Sequence, residues 1–134
     1  TAHPTTQDFI DDLWAYTGQL RAAGIKVLVG TILPKYIAAN PTAEATHNAR
    51  RITVNTAIRA ATGTRHDGYF DFAAHSIADE SADAQNTTYY SDGTHLTTAG
   101  YTALSPIYQA ALDVIFRQTL AANDNELQPQ RMAS

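Results

Sequence analysis

The sequence predicts an α/β fold, because helical patterns alternate with short runs that are typical of β-strands. The first observation is the run at residues 25–33, which is almost entirely apolar and is bounded by Gly24 and Pro34. Such a run without polar alternation is typical of a strand that is buried on both faces, as in a parallel sheet. The second observation is that apolar residues recur at helical spacing on both sides of this run. Right-handed crossovers are expected to connect the parallel strands.

The first helix is predicted to begin at Thr5 or Thr6, because threonine is a favourable cap and Asp8 would lie in the first turn. The apolar stripe of this helix consists of Phe9, Leu13, Tyr16, Leu20 and Ala23. Gly24 occupies the position of a C-terminal cap, so the helix is predicted to end there. The run that follows could also be a buried helical segment. Its valine and isoleucine content and its flanking Gly and Pro favour a strand over residues 27–33.

A second helix is predicted from about residue 43 to residue 61. Asn40 precedes a proline and is therefore biased against helical geometry, which leaves Thr42 as the expected cap. One face of this helix carries Val54, Ala57, Ile58 and Ala61. Aromatic residues alternate around Asp71 at residues 69–73, which predicts a short second strand. Asp71 is expected to accept backbone hydrogen bonds at the strand end, with support of a catalytic site as the alternative.

The last helix is predicted to begin near Thr97 or Thr98. Its apolar stripe consists of Leu104, Tyr108, Ala111, Leu112, Ile115 and Phe116. Pro106 lies inside this helix and is expected to kink it, because proline removes one helical hydrogen bond. The sequence then becomes polar, so residues 1–120 are predicted to form the folded part and residues 121–134 a frayed tail.

The length of 134 residues suits a single domain, and the composition excludes several classes of function. The formal net charge of −4 argues against a nucleic-acid partner, since neutralising phosphates requires clustered Lys and Arg. The chain has no cysteine, which excludes disulfides, thiolate nucleophiles and cysteine-based zinc sites. No apolar run approaches the roughly 18 residues of a membrane-spanning helix.

The histidines outside the C-terminal motif predict neither a metal site nor a cofactor site. They are His3, His47, His66 and His75, and they lack the i, i+4 pairing of a helical metal site. His66 lies beside Asp67 in a predicted turn, and both residues are expected to be solvated.

Asp92 and His95 lie three residues apart in a turn that contains Gly93, directly before the last helix. The carboxylate could accept the proton of one imidazole nitrogen, fix the tautomer and stabilise the imidazolium when the other nitrogen takes a proton from a nucleophile. The plainer interpretation is a polar turn, because Asp-Gly is a turn signal, Thr97 is an ordinary helix cap and a loop histidine is usually solvated.

The block DGTHLTTAGY, residues 92–101, resembles the last sequence block of the SGNH (GDSL-type) esterase and lipase family. In that family an Asp and a His three residues apart precede a Leu or Pro, a small-residue helix start, a Gly and often an aromatic residue. The upstream order of helix, apolar strand ending in Pro, Asn-bearing helix and short strand with Asp is similar as well. The resemblance covers most of residues 9–116.

The resemblance implies a three-layer α/β/α sandwich with a parallel sheet, of the flavodoxin-like kind. It implies that His95 is the general base of a serine hydrolase and that Asp92 orients it. The implied reaction is hydrolysis of an ester through an acyl-enzyme, without metal or cofactor. The substrate would be an acylated small molecule, a lipid or a carbohydrate, and a secreted or periplasmic location is slightly favoured.

The sequence departs from this family in the residues that should complete the site. A nucleophilic Ser in a G-D-S-like motif, an oxyanion Gly and a G-x-N-D block are all absent. The serines present are Ser76, Ser81, Ser91, Ser105 and Ser134. Asn123-Asp124 lacks the Gly two residues earlier. The chain also begins with Thr rather than Met.

We therefore expect residues 1–120 to be the C-terminal part of one SGNH domain. A complementary N-terminal segment of roughly 70 to 120 residues would carry the serine and the oxyanion donors, as a separate chain or in a second copy. The alternative function is a non-catalytic module of the same ancestry that binds a carbohydrate or a protein. In that case Tyr89 and Tyr90 would line a pocket, whereas otherwise they could simply pack the loop.

Overall fold

The computed structural model describes residues 5–131, and three α-helices and two β-strands form within them. The elements in chain order are α1 (Thr6–Ala22), β1 (Leu28–Gly30), α2 (Pro41–Ala60), β2 (Gly68–Phe70) and α3 (Thr98–Arg131). Two short 3-10 helices, Phe72–Ala74 and Ser81–Gln85, lie between β2 and α3. The predicted alternation of helices and strands is confirmed.

Helix α1 has the ends that the sequence predicts. The Thr5 hydroxyl accepts the N–H of Asp8 at 3.1 Å, and the Asp8 carboxylate accepts the N–H of Thr5 at 2.9 Å. This reciprocal capping box satisfies backbone donors that the helix itself cannot pair. At the other end Gly24 has a φ of +79°. The N–H groups of Gly24 and Ile25 donate to carbonyls of the last turn at 2.9 and 3.0 Å, which is a Schellman cap.

Helix α2 begins two residues earlier than predicted. Asn40 is the cap, and its side-chain oxygen accepts the N–H of Ala43 at 2.9 Å. Pro41 is the first helical residue, a position where the missing N–H costs nothing because that donor has no helical partner. The restriction imposed by proline falls on Asn40, which is non-helical as expected, and Thr42 lies inside the helix.

The two strands pair in parallel, with Val29 opposite Tyr69. The pairing is much shorter than the strand predicted over residues 27–33. Thr31 still donates its N–H to the carbonyl of Phe70 at 3.0 Å, but beyond it the backbone bonds to side chains of α2 instead of to a strand. Apolar composition therefore indicated the presence of a strand correctly but not its length.

Helices α1 and α2 cover one face of the sheet. Val29 and Tyr69 point to this face and pack against a core built on Ile10, Val54 and Ile58. Because successive residues of a strand point to opposite faces, their neighbours in both strands point the other way.

Helix α3 covers β2 on the opposite face. The ring of Tyr108 stacks on Phe70 with centroids 4.6 Å apart. A Cβ atom on Gly68 would lie 2.7 Å from the Cδ2 atom of Leu28 and 3.5 Å from the Cδ1 atom of Ile115, so the glycine makes room for the side chain of its strand partner and α3 packs over it at ordinary contact distance. Within the described residues the sheet contains only β1 and β2, so β1 has one unpaired edge.

Helix α3 is uninterrupted at Pro106, where the sequence predicts a kink. Proline has no N–H, so the carbonyl of Thr102 loses its helical donor. The hydroxyl of Ser105 donates to that oxygen at 3.0 Å and takes the place of the missing N–H. The helix also continues to Arg131 instead of ending near residue 121.

His66 is buried and Asp67 is half-buried, with 13% of its side chain accessible, so the prediction that both residues are solvated is wrong. The ring nitrogens of His66 lie 2.8 Å from the carbonyl oxygens of Ile58 and Gly68. Asp67 accepts the N–H of Val27 at 2.8 Å. Burial acts to raise the pKa of Asp67, but this bond and two nearby cations hold it below its usual value.

Asp71 forms an ion pair that neither interpretation of the sequence included. Its two carboxylate oxygens accept from the Arg59 guanidinium at 2.7 and 2.9 Å. This bidentate pair raises the pKa of Arg59. The Arg59–Asp71 pair therefore connects the C-terminal end of α2 to the residue that follows β2.

Candidate active site

Asp92 and His95 form a compact hydrogen-bonded pair. The Nδ1 atom of His95 lies 2.7 Å from the Oδ2 atom of Asp92. The Oδ1 atom accepts the N–H groups of His95 and Thr94 at 2.8 and 3.0 Å. The His95 N–H, followed by its imidazole, lowers the pKa of Asp92 to about 2. With the Nδ1 proton directed at the carboxylate, Nε2 is the nitrogen that can accept a proton.

The loop reaches this geometry because Gly93 has a φ of +77°, a conformation that favours glycine. A Cβ atom at this position would lie 2.8 Å from the carbonyl oxygen of Tyr36. The N–H of Tyr36 in turn donates to the carbonyl of Gly93 at 2.8 Å. The N–H of Ser91 closes the loop by donating to the carbonyl of His95 at 2.8 Å.

The start of α3 fixes the other side of the loop. The hydroxyl of Thr97 accepts the N–H of Gly100 at 3.2 Å, as expected of a cap, and donates to the carbonyl of Thr88 at 2.6 Å. Gly100 is buried against the carbonyl of Tyr89 and the side chain of Leu96. The dyad of Asp92 and His95 therefore lies in a tight loop at residues 91–95, the dyad loop, which leads into a capped helix.

The pair is exposed, with 73% of the His95 side chain and 55% of the Asp92 side chain accessible. His95 stands at the edge of a cleft of about 470 Å³. The apolar and aromatic residues that line the cleft are Leu33, Phe72, Leu96, Tyr101, Leu104 and Tyr108. Thr94 and Ser105 contribute hydroxyl groups. The cleft lies beyond the carboxyl ends of both strands, where open α/β sheets bind ligands.

Tyr89 and Tyr90 are not among the residues that line this cleft. Tyr90 is buried and donates its hydroxyl to the carbonyl of Ile77 at 3.2 Å. It borders a smaller groove that Asp92 also lines. Burial raises the pKa of Tyr90 to about 12. Tyr89 packs against the core cluster that contains Ile77 and Leu104. Of the two interpretations of these tyrosines, the geometry favours packing of the loop.

No serine hydroxyl bonds to the imidazole of His95 within residues 5–131, and its Nε2 atom has no hydrogen-bond partner there. The hydroxyl of Ser91 donates to the backbone carbonyl of His95 at 3.1 Å. Ser105 borders the cleft, but its hydroxyl donates to the carbonyl of Thr102, which has no helical donor because residue 106 is proline. Ser134 lies outside the described residues, as do the side chains of Asn123 and Asp124.

The described part of the chain contains no group of three His, Cys, Asp or Glu residues close enough to hold a metal ion. His47 lies 3.5 Å from the carbonyl of Leu33, and His75 accepts the N–H of Ile77 at 3.4 Å. His3 lies outside the described residues. None of the helices described is long and apolar enough to cross a membrane.

Helix α2 also carries a row of buried polar residues that was not predicted from the sequence, namely Asn48, Arg51 and Asn55. Their side chains bond to the segment after β1 and to the loop before the dyad. The available signal was their spacing of three and four residues, which places them on one face of a helix.

Comparison with known proteins identifies the family. Residues 1–103 match the model of the GDSL-like Lipase/Acylhydrolase family. The match runs from the start of the chain into the first turns of α3. No curated protein and no solved structure matches the chain. The resemblance expected from the sequence is thus confirmed by a match over most of the chain, which belongs to the GDSL-like Lipase/Acylhydrolase family of ester hydrolases.

Proposed function

We propose that this chain supplies the acid–base part of a serine ester hydrolase, with His95 as general base and Asp92 as its orienting acid. The observation that carries the proposal is the 2.7 Å bond between Nδ1 of His95 and Asp92, which leaves Nε2 unpaired within the described residues, at the edge of an apolar cleft. Nε2 takes the proton of a serine hydroxyl as the serine oxygen attacks the ester carbonyl. The imidazolium then protonates the leaving alkoxide, and water releases the acyl group by the same route.

The serine and the oxyanion donors come from a complementary N-terminal segment, either a separate chain or a second copy. Support for this comes from the lack of any serine bonded to the imidazole within residues 5–131 and from the unpaired edge of β1. Residues 1–120 then form the C-terminal part of one three-layer, flavodoxin-like domain, and residues 121–134 extend beyond it. The family resemblance implies a reaction without metal or cofactor.

The cleft favours an ester with an apolar portion among the acylated small molecules, lipids and carbohydrates that the family resemblance implies. Its size is in the range of ordinary small-molecule sites. Phe72, Leu104 and Tyr108 would contact the apolar portion, while the scissile bond lies at His95. Among the residues that the structure describes, the side chains that line the cleft include no carboxylate, lysine or arginine to select a charged group.

The alternative of a non-catalytic binding module has less support. It depends on Tyr89 and Tyr90 presenting their rings to a carbohydrate or a protein. Tyr90 is buried and Tyr89 is packed in a core cluster, so neither ring forms an open binding platform.

A fluorophosphonate probe tests the proposal, because it reacts only with an activated serine. In the complete enzyme the label is expected on a serine outside residues 1–134. His95→Ala should reduce labelling and ester turnover at least roughly a thousandfold, because the nucleophile loses its base. Asp92→Asn should cost less, because the base remains.

Ser105→Ala is the matched control, since this serine borders the same cleft but bonds to the helix backbone. It should retain labelling and turnover. Labelling of a serine within residues 1–134, or turnover by His95→Ala at the rate of the unaltered enzyme, would contradict the proposal.

A further inference from the structure

The segment that follows β1, residues 31–37, forms backbone hydrogen bonds with side chains of α2. These side chains take the place of a neighbouring strand. The N–H of Ile32 donates to the Oδ1 atom of Asn55 at 2.7 Å, and the Nδ2 atom of Asn55 donates to the carbonyl of Ile32 at 2.9 Å. Asn48 binds Lys35 in the same manner, at 3.3 and 2.9 Å. Each carboxamide therefore satisfies both backbone groups of one residue.

These carboxamides are built into the interior of the protein. Asn48 is 5% exposed and Asn55 is 2% exposed. A buried amide that loses its partners costs about 1–3 kcal/mol, so these bonds strongly favour a single position of the segment. Glu44 adds a further contact by accepting the N–H of Ile37 at 2.9 Å.

The same segment supports the dyad loop on its other side. Tyr36 donates its N–H to the carbonyl of Gly93 at 2.8 Å, and Gly93 lies between Asp92 and His95. Leu33, from the same segment, forms part of the wall of the cleft. A shift of the segment away from α2 would therefore move both the dyad loop and the cleft.

Arg51 makes a second connection from α2 to the dyad. It is 3% exposed and donates to the carbonyls of Ala78 and Asp79 at 3.4 and 3.2 Å. The preceding carbonyl, that of Ile77, accepts the hydroxyl of Tyr90, which lies two residues before Asp92. Arg51 also donates its Nε–H to the Oδ1 atom of Asn48 at 3.1 Å, which joins the two connections.

We propose that Asn48, Arg51 and Asn55 are positioning residues that hold Asp92 and His95 at the edge of the cleft. They touch neither residue and act through the segment at residues 31–37 and the loop at residues 77–79. The importance of this positioning for catalysis rests on the proposed function, but the test below does not require activity.

Asn48→Ala is the informative variant, because it removes the bonds to both Lys35 and Arg51. Amide hydrogen exchange is measured by NMR in the complete enzyme with this chain isotopically labelled. We expect exchange at Tyr36, Thr94 and His95 to accelerate roughly tenfold, since the three hydrogen bonds of a buried side chain are lost. Asn48→Asp keeps the acceptor for the Lys35 N–H and should give an intermediate acceleration.

Thr56→Ala is the matched control on the same helix. Its hydroxyl is exposed and donates only to the carbonyl of Ile52 in its own helix, at 2.9 Å, so exchange in the dyad loop should not change. A second readout is the titration of the Asp92 carboxyl group, whose midpoint should rise in Asn48→Ala as its hydrogen bonds loosen.

Two results would overturn the inference. One is unchanged exchange at Tyr36, Thr94 and His95 together with an unchanged Asp92 midpoint. The other is an equal acceleration at Ile10 in α1, which would indicate general destabilisation instead of positioning. If Asn48→Ala does not fold, Asn48→Asp decides between the same outcomes. Failure of the proposed function would instead appear as normal labelling of His95→Ala, with the exchange results unaffected.

Discussion

Asp92 concentrates three hydrogen-bond donors on one exposed carboxylate: the N–H groups of Thr94 and His95 and the His95 ring. Two of these donors come from the backbone, so the turn itself fixes the orientation of the carboxylate. The imidazole is then aligned by a group that is already held in place. This arrangement requires no buried charge, unlike the ion pairs that must be compensated inside a protein.

We predict that Asp92 titrates with a midpoint near 2, as its lowered pKa requires, when followed by carboxyl 13C NMR. The ordinary value is 3.8, so the folded state releases this proton more readily than the unfolded state. The stabilisation from Asp92 is therefore complete above pH 3.8 and is lost as the pH falls through about 2. In His95→Ala the two backbone donors remain, so the midpoint should rise only in part. A midpoint at or above 3.8 in the unaltered protein would contradict the geometry of the turn.

The partners of a residue could be predicted from the sequence where they are close in the chain, and could not where they are distant. The Asp92–His95 contact follows from a spacing of three residues in a turn that contains glycine, so it could be predicted from the sequence. The burial of His66 depends on stacking against Trp14, which is far away in the chain, and no local pattern indicates it. The partner of Asp71 was missed for the same reason, since Arg59 belongs to a different element.

At the scale of elements, helix ends were predictable where the capping groups are adjacent in sequence. Thr5 with Asp8, and Gly24, fall within one turn of the ends that they determine. The length of β1 was not predictable, because its extension past Thr31 pairs with helix side chains. An apolar run specifies an extended, buried chain but not the element that satisfies its backbone.

The junction between the dyad loop and α3 gives a prediction about stability. A Cβ atom on Gly100 would lie 2.5 Å from the carbonyl oxygen of Tyr89 and 2.9 Å from the Cδ2 atom of Leu96. Gly100→Ala should therefore destabilise the protein by roughly 1–3 kcal/mol, because the backbone must shift. Denaturant unfolding measures this change.

Gly18→Ala in α1 is the matched control. A Cβ atom there would have no neighbour within 4 Å, so alanine should stabilise the helix by about 0.5–1 kcal/mol. If the two substitutions changed the free energy of unfolding equally, the contact at Gly100 would have no energetic consequence.

At the scale of the whole molecule, the described residues leave apolar surface uncovered. Helix α3 exposes Tyr101, Phe116 and Leu120, and β1 has one unpaired edge. An open strand edge beside apolar surface favours association with other chains. The α/β class could be predicted from the order of the elements, but which helix covers which face of the sheet could not, because this depends on contacts between elements that are distant in sequence.

We predict that residues 1–134, expressed alone, associate or aggregate and do not hydrolyse esters. Sedimentation velocity and thermal unfolding check the association, and a chromogenic ester checks the activity. Adding the complementary segment should give a defined complex that unfolds cooperatively. A well-folded monomer that melts cooperatively on its own would contradict the proposed division of the domain.

Gly93, between Asp92 and His95, and Gly100, in the first turn of α3, have a consequence for divergence among relatives. Gly93 and Gly100 are required by close contact with the backbones of Tyr36 and Tyr89, and neither contributes a group to the chemistry. A descendant that has lost hydrolysis but kept the fold is still constrained at both glycines, whereas Asp92 and His95 become free to drift. The spacing of the glycines thus marks the ancestry of such a protein, whereas Asp92, directly before Gly93, and His95, between the two glycines, mark the proposed activity.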